Sequence, residues 1–322
     1  MKNSKETTAI AHPNFALVKY WGKRDVTRNQ PAMSSISITV DSIQSETTLT
    51  RNKLSNQHRL FINGKEESDL SRILPTIHYL SNCSKSDDYL MIESKNNFPT
   101  SAGLASSASG IASFVTAYDA HYKMNLSMDE KVSASILGSG SAPRSLMGGF
   151  VLMNHKNNFK CSQILTKSDG SLDILICIVS NQPKRISSRE GMEISKKTSP
   201  IYKHWLTIND QHIQDAYKAI KEKNLVRLGK IAEENCELMH EVMKTSNPSI
   251  VYKTSVTNSC LDVIESIRAS GNELFYTIDA GPQVKIICKP SLSEKIKNEM
   301  KSKTKVIEII HGKIGGSPRV YQ

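Results

Sequence analysis

The stretch Asn96–Phe114, NNFPTSAGLASSASGIASF, constrains the fold more than any other part of the chain. A short strand pattern, Tyr89–Glu93, leads into it. Pro99, Gly103 and the hydroxyls of Thr100, Ser101, Ser106 and Ser107 crowd the turn. From Ala108 the apolar residues take helical spacing, with Ala108, Ile111, Ala112, Val115, Tyr118 and Tyr122 on one face. A strand–turn–helix of this kind presents backbone N–H groups that lack intrahelical partners. They carry partial positive charge, so an anion is welcome there. Gly103 lets the backbone approach such an anion closely. Ser106 and Ser107 suit phosphate oxygens or a magnesium ion, and they suit equally a serine-rich cap with no ligand. The segment is not a Walker loop, for no G-x-x-x-x-G-K-[ST] occurs. GSGSAP, at 138–143, has Pro143 where a dinucleotide fingerprint needs a third glycine.

The periodicities on either side imply a mixture of strands and helices. Ser35–Val40 alternates as a half-buried strand, and Leu60–Lys65 carries the hairpin signal Asn-Gly. Residues 70–80 read as a helix bent at Pro75. Met128–Leu137 reads as a helix with Ser127 as N-cap. Phe150–Met153 and Leu172–Ser180 read as strands, the latter buried on both faces. Asp210–Lys244 is strongly helical, with long charged side chains on one face, and Leu261–Ser270 is another helix. Leu274–Ile278 and Val284–Cys288 form a strand–turn–strand around Asp279-Ala280-Gly281-Pro282, followed by a helix at Leu292–Lys303 and a strand at Val306–Ile310. At 322 residues the chain is long enough for two α+β domains, expected over 1–180 and 181–322.

Four further clusters combine charge with turn chemistry. In NFALVKYWGKRD (14–25), a strand would place Lys19, Trp21 and Lys23 on one face and Tyr20 on the other; solvated lysines on an amphipathic strand are the plainer alternative. Ser139, Gly140, Ser141 and Arg144 share a glycine-rich turn, where the planar fork of Arg suits a carboxylate or phosphate. Ser187, Ser188 and Arg189 form either a phosphate grip or a plain loop. Asp279 sits at a strand end, where an Asp often caps its own turn. The formal net charge of +11 favours a polyanionic partner. The basic residues are spread along the chain and not interleaved with aromatics, which argues against nucleic acid. No run is long and apolar enough to span a membrane, and no signal-peptide core appears. The six cysteines form no C-x-x-C pair, consistent with buried thiols in a reducing, cytoplasmic setting.

Taken in order, NFALVKYWGKRD, NNFPTSAGLASSASG, GSGSAPRSLMGGF, SSREGM and TIDAGP resemble the motif series of the mevalonate diphosphate decarboxylases. They keep that family's order and spacing over most of the chain. The P-x-x-x-G-L-A-S-S element marks the wider GHMP kinase superfamily; K-Y-W-G-K and D-A-G-P make the resemblance specific. It implies a two-domain α+β fold, with an N-terminal domain like domain 2 of ribosomal protein S5 and a ferredoxin-like C-terminal domain. The active site is then expected in the cleft between them. The implied activity is ATP- and Mg2+-dependent phosphorylation of the tertiary hydroxyl of mevalonate 5-diphosphate, with loss of phosphate and carbon dioxide to give isopentenyl diphosphate.

The resemblance implies roles residue by residue. Asp279 holds or deprotonates the hydroxyl, Lys19 keeps Asp279 ionised, and Arg144 orients the substrate carboxylate. Tyr20, Trp21, Lys23, Ser139, Gly140, Ser141, Ser188 and Arg189 grip the substrate. Ser101, Gly103, Leu104, Ala105, Ser106 and Ser107 cradle the ATP phosphates, with Asn96 and Asn97 near the nucleotide and Ser107 on magnesium. A homodimer is common in the family. This chain departs from the usual pattern at Ala32–Met33, Pro143, Gln283 and the tail GKIGGSPR, none of which removes a residue given a catalytic role. The changes at Ala32–Met33 keep open the 5-phosphate as substrate, or 3-hydroxyl phosphorylation without decarboxylation. A nucleotide-binding regulator without activity would not need Lys19, Arg144 and Asp279 together.

Overall fold

A computed structural model describes residues 6–53, 55–99, 103–167 and 171–321. The chain begins with eight strands: β1 (Thr7–Ala11), β2 (Asn14–Val18), β3 (Lys23–Asp25), β4 (Gln30–Pro31), β5 (Ser35–Thr39), β6 (Ser45–Arg51), β7 (Arg59–Ile62) and β8 (Lys65–Glu67). Then come α1 (Leu74–Ser84), β9 (Leu90–Asn96), α2 (Ser106–Tyr122), α3 (Met128–Gly138), a 3-10 turn (Ala142–Leu146), β10 (Phe150–Asn154), β11 (Lys160–Leu165) and β12 (Asp173–Ile178). Helices α4 (Ser188–Thr198), α5 (Tyr202–Lys221), α6 (Leu225–Lys244) and α7 (Ser255–Ala269) follow, then β13 (Leu274–Ile278), β14 (Val284–Cys288), α8 (Ser293–Lys303), β15 (Glu308–Lys313) and β16 (Arg319–Tyr321).

Three large sheets organise most of these elements, in the orders β16-β1-β6-β9-β7-β8, β11-β10-β5-β2 and β13-β14-β12-β15, and β3 pairs with β4 in a two-stranded fourth. One core lies where α1, α2 and α3 cover the first sheet, with Leu49, Ile77, Phe114 and Val115 inside it. A second joins the other two sheets through Phe15, Ile38, Ile176 and Phe275. A third lies under α7 and α8, around Leu175, Ile264 and Met300. Sheet membership changes between β11 and β12, ahead of residue 180, because β12 pairs with β14 and β15. The chain end then returns to the first sheet, where β16 pairs with β1. The two halves are therefore tied by strands as well as by side chains.

Several local expectations hold. Asn63 and Gly64 take positive φ between β7 and β8, as a two-residue hairpin requires. Ser127 caps α3 in a reciprocal capping box with Glu130. Strands β13 and β14 span the residues expected. Others are corrected. Pro75 does not bend a helix over 70–80; it lies in the first turn of α1, where its missing N–H has no helical partner to lose. Strand β5 is buried on both faces, because it lies between β10 and β2 with packed layers above and below. Asp210–Lys244 is two helices: the chain breaks at Lys223, with positive φ, and Asn224 caps α6. In α2, burial reaches beyond the expected stripe, since Ser109 and Ser113 bond Ser45 and Thr47 of the sheet at 2.6 Å each.

Candidate active site

Strand β2 is wholly buried and ends at Val18, so the 14–25 segment is not one amphipathic strand. The chain leaves the sheet at Lys19, and its backbone is caught from the other half of the molecule. Asn235 Oδ1 on α6 accepts from the Lys19 N–H at 2.7 Å, and Asn209 Nδ2 on α5 donates to the Lys19 carbonyl at 2.9 Å. Lys19, Tyr20, Trp21 and Lys23 then all reach one cleft, against the two-faced arrangement that a continuous strand would give. Trp21 is anchored as it does so, donating to Ser195 Oγ at 2.9 Å.

Strand β13 brings the opposite wall. Thr277 Oγ1 donates to the Ala16 carbonyl at 2.9 Å, fixing the end of β13 beside the end of β2. The next acidic group, Asp279, meets Lys19 Nζ at 2.7 Å through Oδ1. Its Oδ2 lies 3.2 Å from Lys285 Nζ without a well-aligned hydrogen bond. The Asp279 carboxylate does not cap its own turn; the Gly281 N–H bonds the backbone carbonyl instead. Burial pushes the Asp279 carboxyl upward, but the Lys19 and Lys285 ammoniums outweigh it and hold it well below the usual carboxylate range. Burial pulls Lys285 down, and Asp279 opposes that pull.

Arg144 is buried in the 3-10 turn. Its Nε donates to Asn14 Oδ1 at 3.1 Å, and Asn14 Nδ2 donates to Ser145 Oγ at 2.7 Å and the Ser141 carbonyl at 3.2 Å. Arg144 Nη1 is buried with no protein partner, an unmatched donor beside the cleft. The guanidinium carbon lies 5.9 Å from the centre of the Tyr20 ring. Ser139 Oγ lies 3.2 Å from Ser141 Oγ and 3.3 Å from Ser107 Oγ, so the two serine-rich turns meet.

The glycine–serine turn closes the site. Gly103 has φ +83, and a Cβ there would fall 2.9 Å from Gly281 Cα, so the two turns touch through backbone. The helix cap is Ala105, in the left-handed region and with no side-chain acceptor for the N–H groups of the first turn of α2. Those donors are what a phosphate would take. Ser101 lies outside the described residues. Asn96 and Asn97 do not line the cleft; Asn96 Oδ1 accepts from Ser45 Oγ and Asn97 Oδ1 from the Gln44 N–H.

The cleft measures about 400 Å³, and six basic side chains line it against one carboxylate, Asp279. Every other residue expected at the site lines it, including Gly103 to Ser107, Ser139 to Ser141, Ser188 and Arg189. Sequence reasoning missed Asn14, Arg72, Lys184 and Lys285. Lys184 Nζ donates to the Ala280 carbonyl at 2.9 Å and to Ser188 Oγ at 2.8 Å. Burial, with Lys285 adding to it, brings Lys184 down to about 8; burial and Arg189 do the same for Lys23. Only Lys285 gave a local signal: one ammonium in the apolar strand VKIIC has to be paired if it is buried.

A cationic cleft entered by a glycine–serine turn at a helix start, within this two-domain fold, defines a protein of the GHMP kinase type. The family model described as the diphosphomevalonate decarboxylase-like N-terminal domain matches residues 11–164, and that of the mevalonate 5-diphosphate decarboxylase C-terminal domain matches 174–311. The chain belongs to the mevalonate 5-diphosphate decarboxylase family. It is 33% identical over 310 residues to the diphosphomevalonate decarboxylase of Candida albicans, covering 90% of this chain and 86% of that one. It is similar to the crystal structure of mevalonate diphosphate decarboxylase from Staphylococcus aureus, with a TM-score of 0.92, 31% identity, and 99% and 98% of the two chains covered. It also matches a structure described as MDDEF in complex with MVAPP, AMPPCP and magnesium, with a TM-score of 0.91, 29% identity, and 98% and 99% covered.

Proposed function

We propose that the protein converts mevalonate 5-diphosphate and ATP to isopentenyl diphosphate, ADP, phosphate and carbon dioxide. The observation that carries this reading is the Asp279 carboxylate, held between Lys19 and Lys285, in one cleft with Arg144 and the Gly103 turn. A relative bound to MVAPP and the ATP analogue AMPPCP supports the pairing of these two substrates in one site.

The residues suit the chemistry. A tertiary hydroxyl is a poor leaving group, so it first becomes a phosphate ester. Its oxygen attacks the γ-phosphorus, the bond to the bridging oxygen breaks, and ADP leaves. The Asp279 carboxylate, which lines the cleft, accepts the hydroxyl proton as that bond forms. Because the two ammoniums make Asp279 a weak base, it orients the hydroxyl first and takes the proton late. Phosphoryl transfer of this kind rests on alignment and charge neutralisation more than on covalent help. Lys19 stabilises the transferring charge. The C–O bond to phosphate then breaks with the C–C bond to the carboxylate, and that electron pair forms the alkene. Arg144 Nη1, buried and unmatched, holds the carboxylate until it departs.

Tyr20, Lys23, Ser139, Ser141, Ser188 and Arg189 grip the substrate diphosphate, and Ser106 and the first-turn N–H groups of α2 hold the nucleotide phosphates. No cluster of three acidic, His or Cys ligands exists among the described residues. This fits magnesium, which keeps waters and binds through substrate phosphates; Ser107 would join it, and the ion would supply charge neutralisation. The cytoplasm and a homodimer are the proposed setting. Among the described residues no helix is long and apolar enough to cross a membrane.

Incubation with ATP, magnesium and mevalonate 5-diphosphate should release carbon dioxide, phosphate and ADP in equal amounts. ADP without carbon dioxide would make the protein a 3-kinase, and preference for the 5-phosphate would move the substrate assignment.

A further inference from the structure

We propose that Lys285 is a positioning residue that latches the nucleotide turn to Asp279. This rests on the reading of Asp279 as the group that faces the substrate hydroxyl. Lys285 is the second residue of β14 and is fully buried. Burying an ammonium is costly unless its partners compensate. Its partners here lie on two different elements. Nζ is 3.2 Å from Asp279 Oδ2 and donates to the Gly103 carbonyl at 3.0 Å, while the Phe15 ring centre lies 5.0 Å away.

Lys19 alone supplies one positive charge for one carboxylate, at 2.7 Å. The second ammonium therefore leaves this buried group cationic, a poor arrangement for stability alone. Between β12 and β13, Lys285 faces Ile176 and Thr277 in the sheet register, an interior position of the kind that apolar side chains ordinarily fill. What Lys285 adds is a link. The Gly103 turn already touches Gly281 through backbone, and Lys285 donates to that turn while its charge pairs with the carboxylate two residues before Gly281. A phosphate seated on the turn thereby fixes the buried side of the Asp279 carboxylate, and with it the aim of the group at the hydroxyl. Lys285 acts on the aligned state and not on the grip of the substrate diphosphate.

The test is Lys285→Met, which keeps length and removes the charge. A misalignment of this kind costs about 10²-fold in kcat. The expected result is that loss with KM for mevalonate 5-diphosphate within about threefold and a cooperative melt retained. A kcat within about threefold of wild type overturns the latch, as does a loss confined to KM. Asp279→Asn separates this from the underlying reading: a dead Asp279→Asn beside an active Lys285→Met removes only the latch, whereas an active Asp279→Asn removes the reading of Asp279. If Lys285→Met does not fold, the double variant Asp279→Asn/Lys285→Met leaves one fewer buried charge of each sign. AMPPCP titration then gives affinity at least about fivefold weaker than in Asp279→Asn alone, because the Gly103 carbonyl has lost its tether. Equal affinity in the two proteins overturns the proposal.

Discussion

Lys19 Nζ lies 2.7 Å from Asp279 Oδ1, although 260 residues separate them. The pair joins the end of β2 to the end of β13, and the Thr277–Ala16 hydrogen bond sets the two strand ends side by side. Asp279→Asn keeps the shape and removes the charge. Turnover should fall by about 10³-fold or more, while AMPPCP still binds, since the turn at Gly103 and the start of α2 are untouched. Near-normal turnover would remove Asp279 from the reaction. Stability should fall as well, because Lys19 and Lys285 lose their shared counter-charge. The folded carboxyl titrates below its ordinary value, so its contribution is complete above pH about 4 and is lost as pH falls through the folded value. The gap between wild type and variant in urea should therefore narrow in acid.

Lys23 and Lys184 give an alkaline limb. Both are brought down to about 8, by burial first and then by neighbouring cations. As pH rises through 8 they lose the charge that draws polyphosphates, so kcat/KM should fall. Bound phosphates favour the charged forms, so the limb in kcat should lie at higher pH than the limb in kcat/KM. Stability moves the other way. Between about 8 and the ordinary Lys value the unfolded chain binds more protons at these two positions, so their contribution to stability rises with pH. Activity that fell together with the melting temperature would contradict this assignment.

Many of the elements were legible because each rests on a local pattern, and the proposed trio of Lys19, Arg144 and Asp279 because each lies in one of the motifs that carry the family resemblance. Ser127 declares a helix N-cap, Asn63-Gly64 a hairpin, and TIDAGP a strand end before a turn. The supports of the trio were not legible, because they are long-range. Nothing near Asn235 or Asn209 in sequence points to the backbone of Lys19, and Asn14 shows its role only once Arg144 lies beside it. Lys184 was lost among 42 basic residues, most of which give no local sign of where they point. The expected strand through Lys19 failed for a related reason. Periodicity marks alternation but not the point where distant hydrogen bonds pull a chain out of a sheet.

Arg144→Lys tests the fork. Nε is committed to Asn14 and Nη1 is unmatched, so one planar group serves the scaffold and the substrate at once. A Lys ammonium at the end of a flexible stem has no such division. Turnover should drop by about 10²-fold or more, the scale for losing one preorganised donor. KM for mevalonate 5-diphosphate should change little, because Lys23, Ser139 and Arg189 still hold the diphosphate. Steady-state kinetics with carbon dioxide release as readout checks it, and a pure KM effect would place Arg144 on the diphosphate instead.

Asn235→Ala tests how Lys19 is aimed. The Asn235 side chain accepts from the Lys19 N–H and lies 2.9 Å from His212 Nδ1, all of it buried. Truncation leaves a backbone donor and an imidazole nitrogen without partners, at a cost of about 1–3 kcal/mol. The urea midpoint should move down accordingly with an unchanged slope. If the Lys19 backbone is what directs Nζ at Asp279, kcat measured well below the urea transition should also fall, by about 10-fold or more. Asn209→Ala, which frees only the Lys19 carbonyl, should move both readouts in the same direction and by less, since a carbonyl tolerates a missing partner better than a buried N–H. A lower midpoint with kcat intact in both variants would make the two asparagines supports of the helices alone, with Lys19 held in place by Asp279 itself.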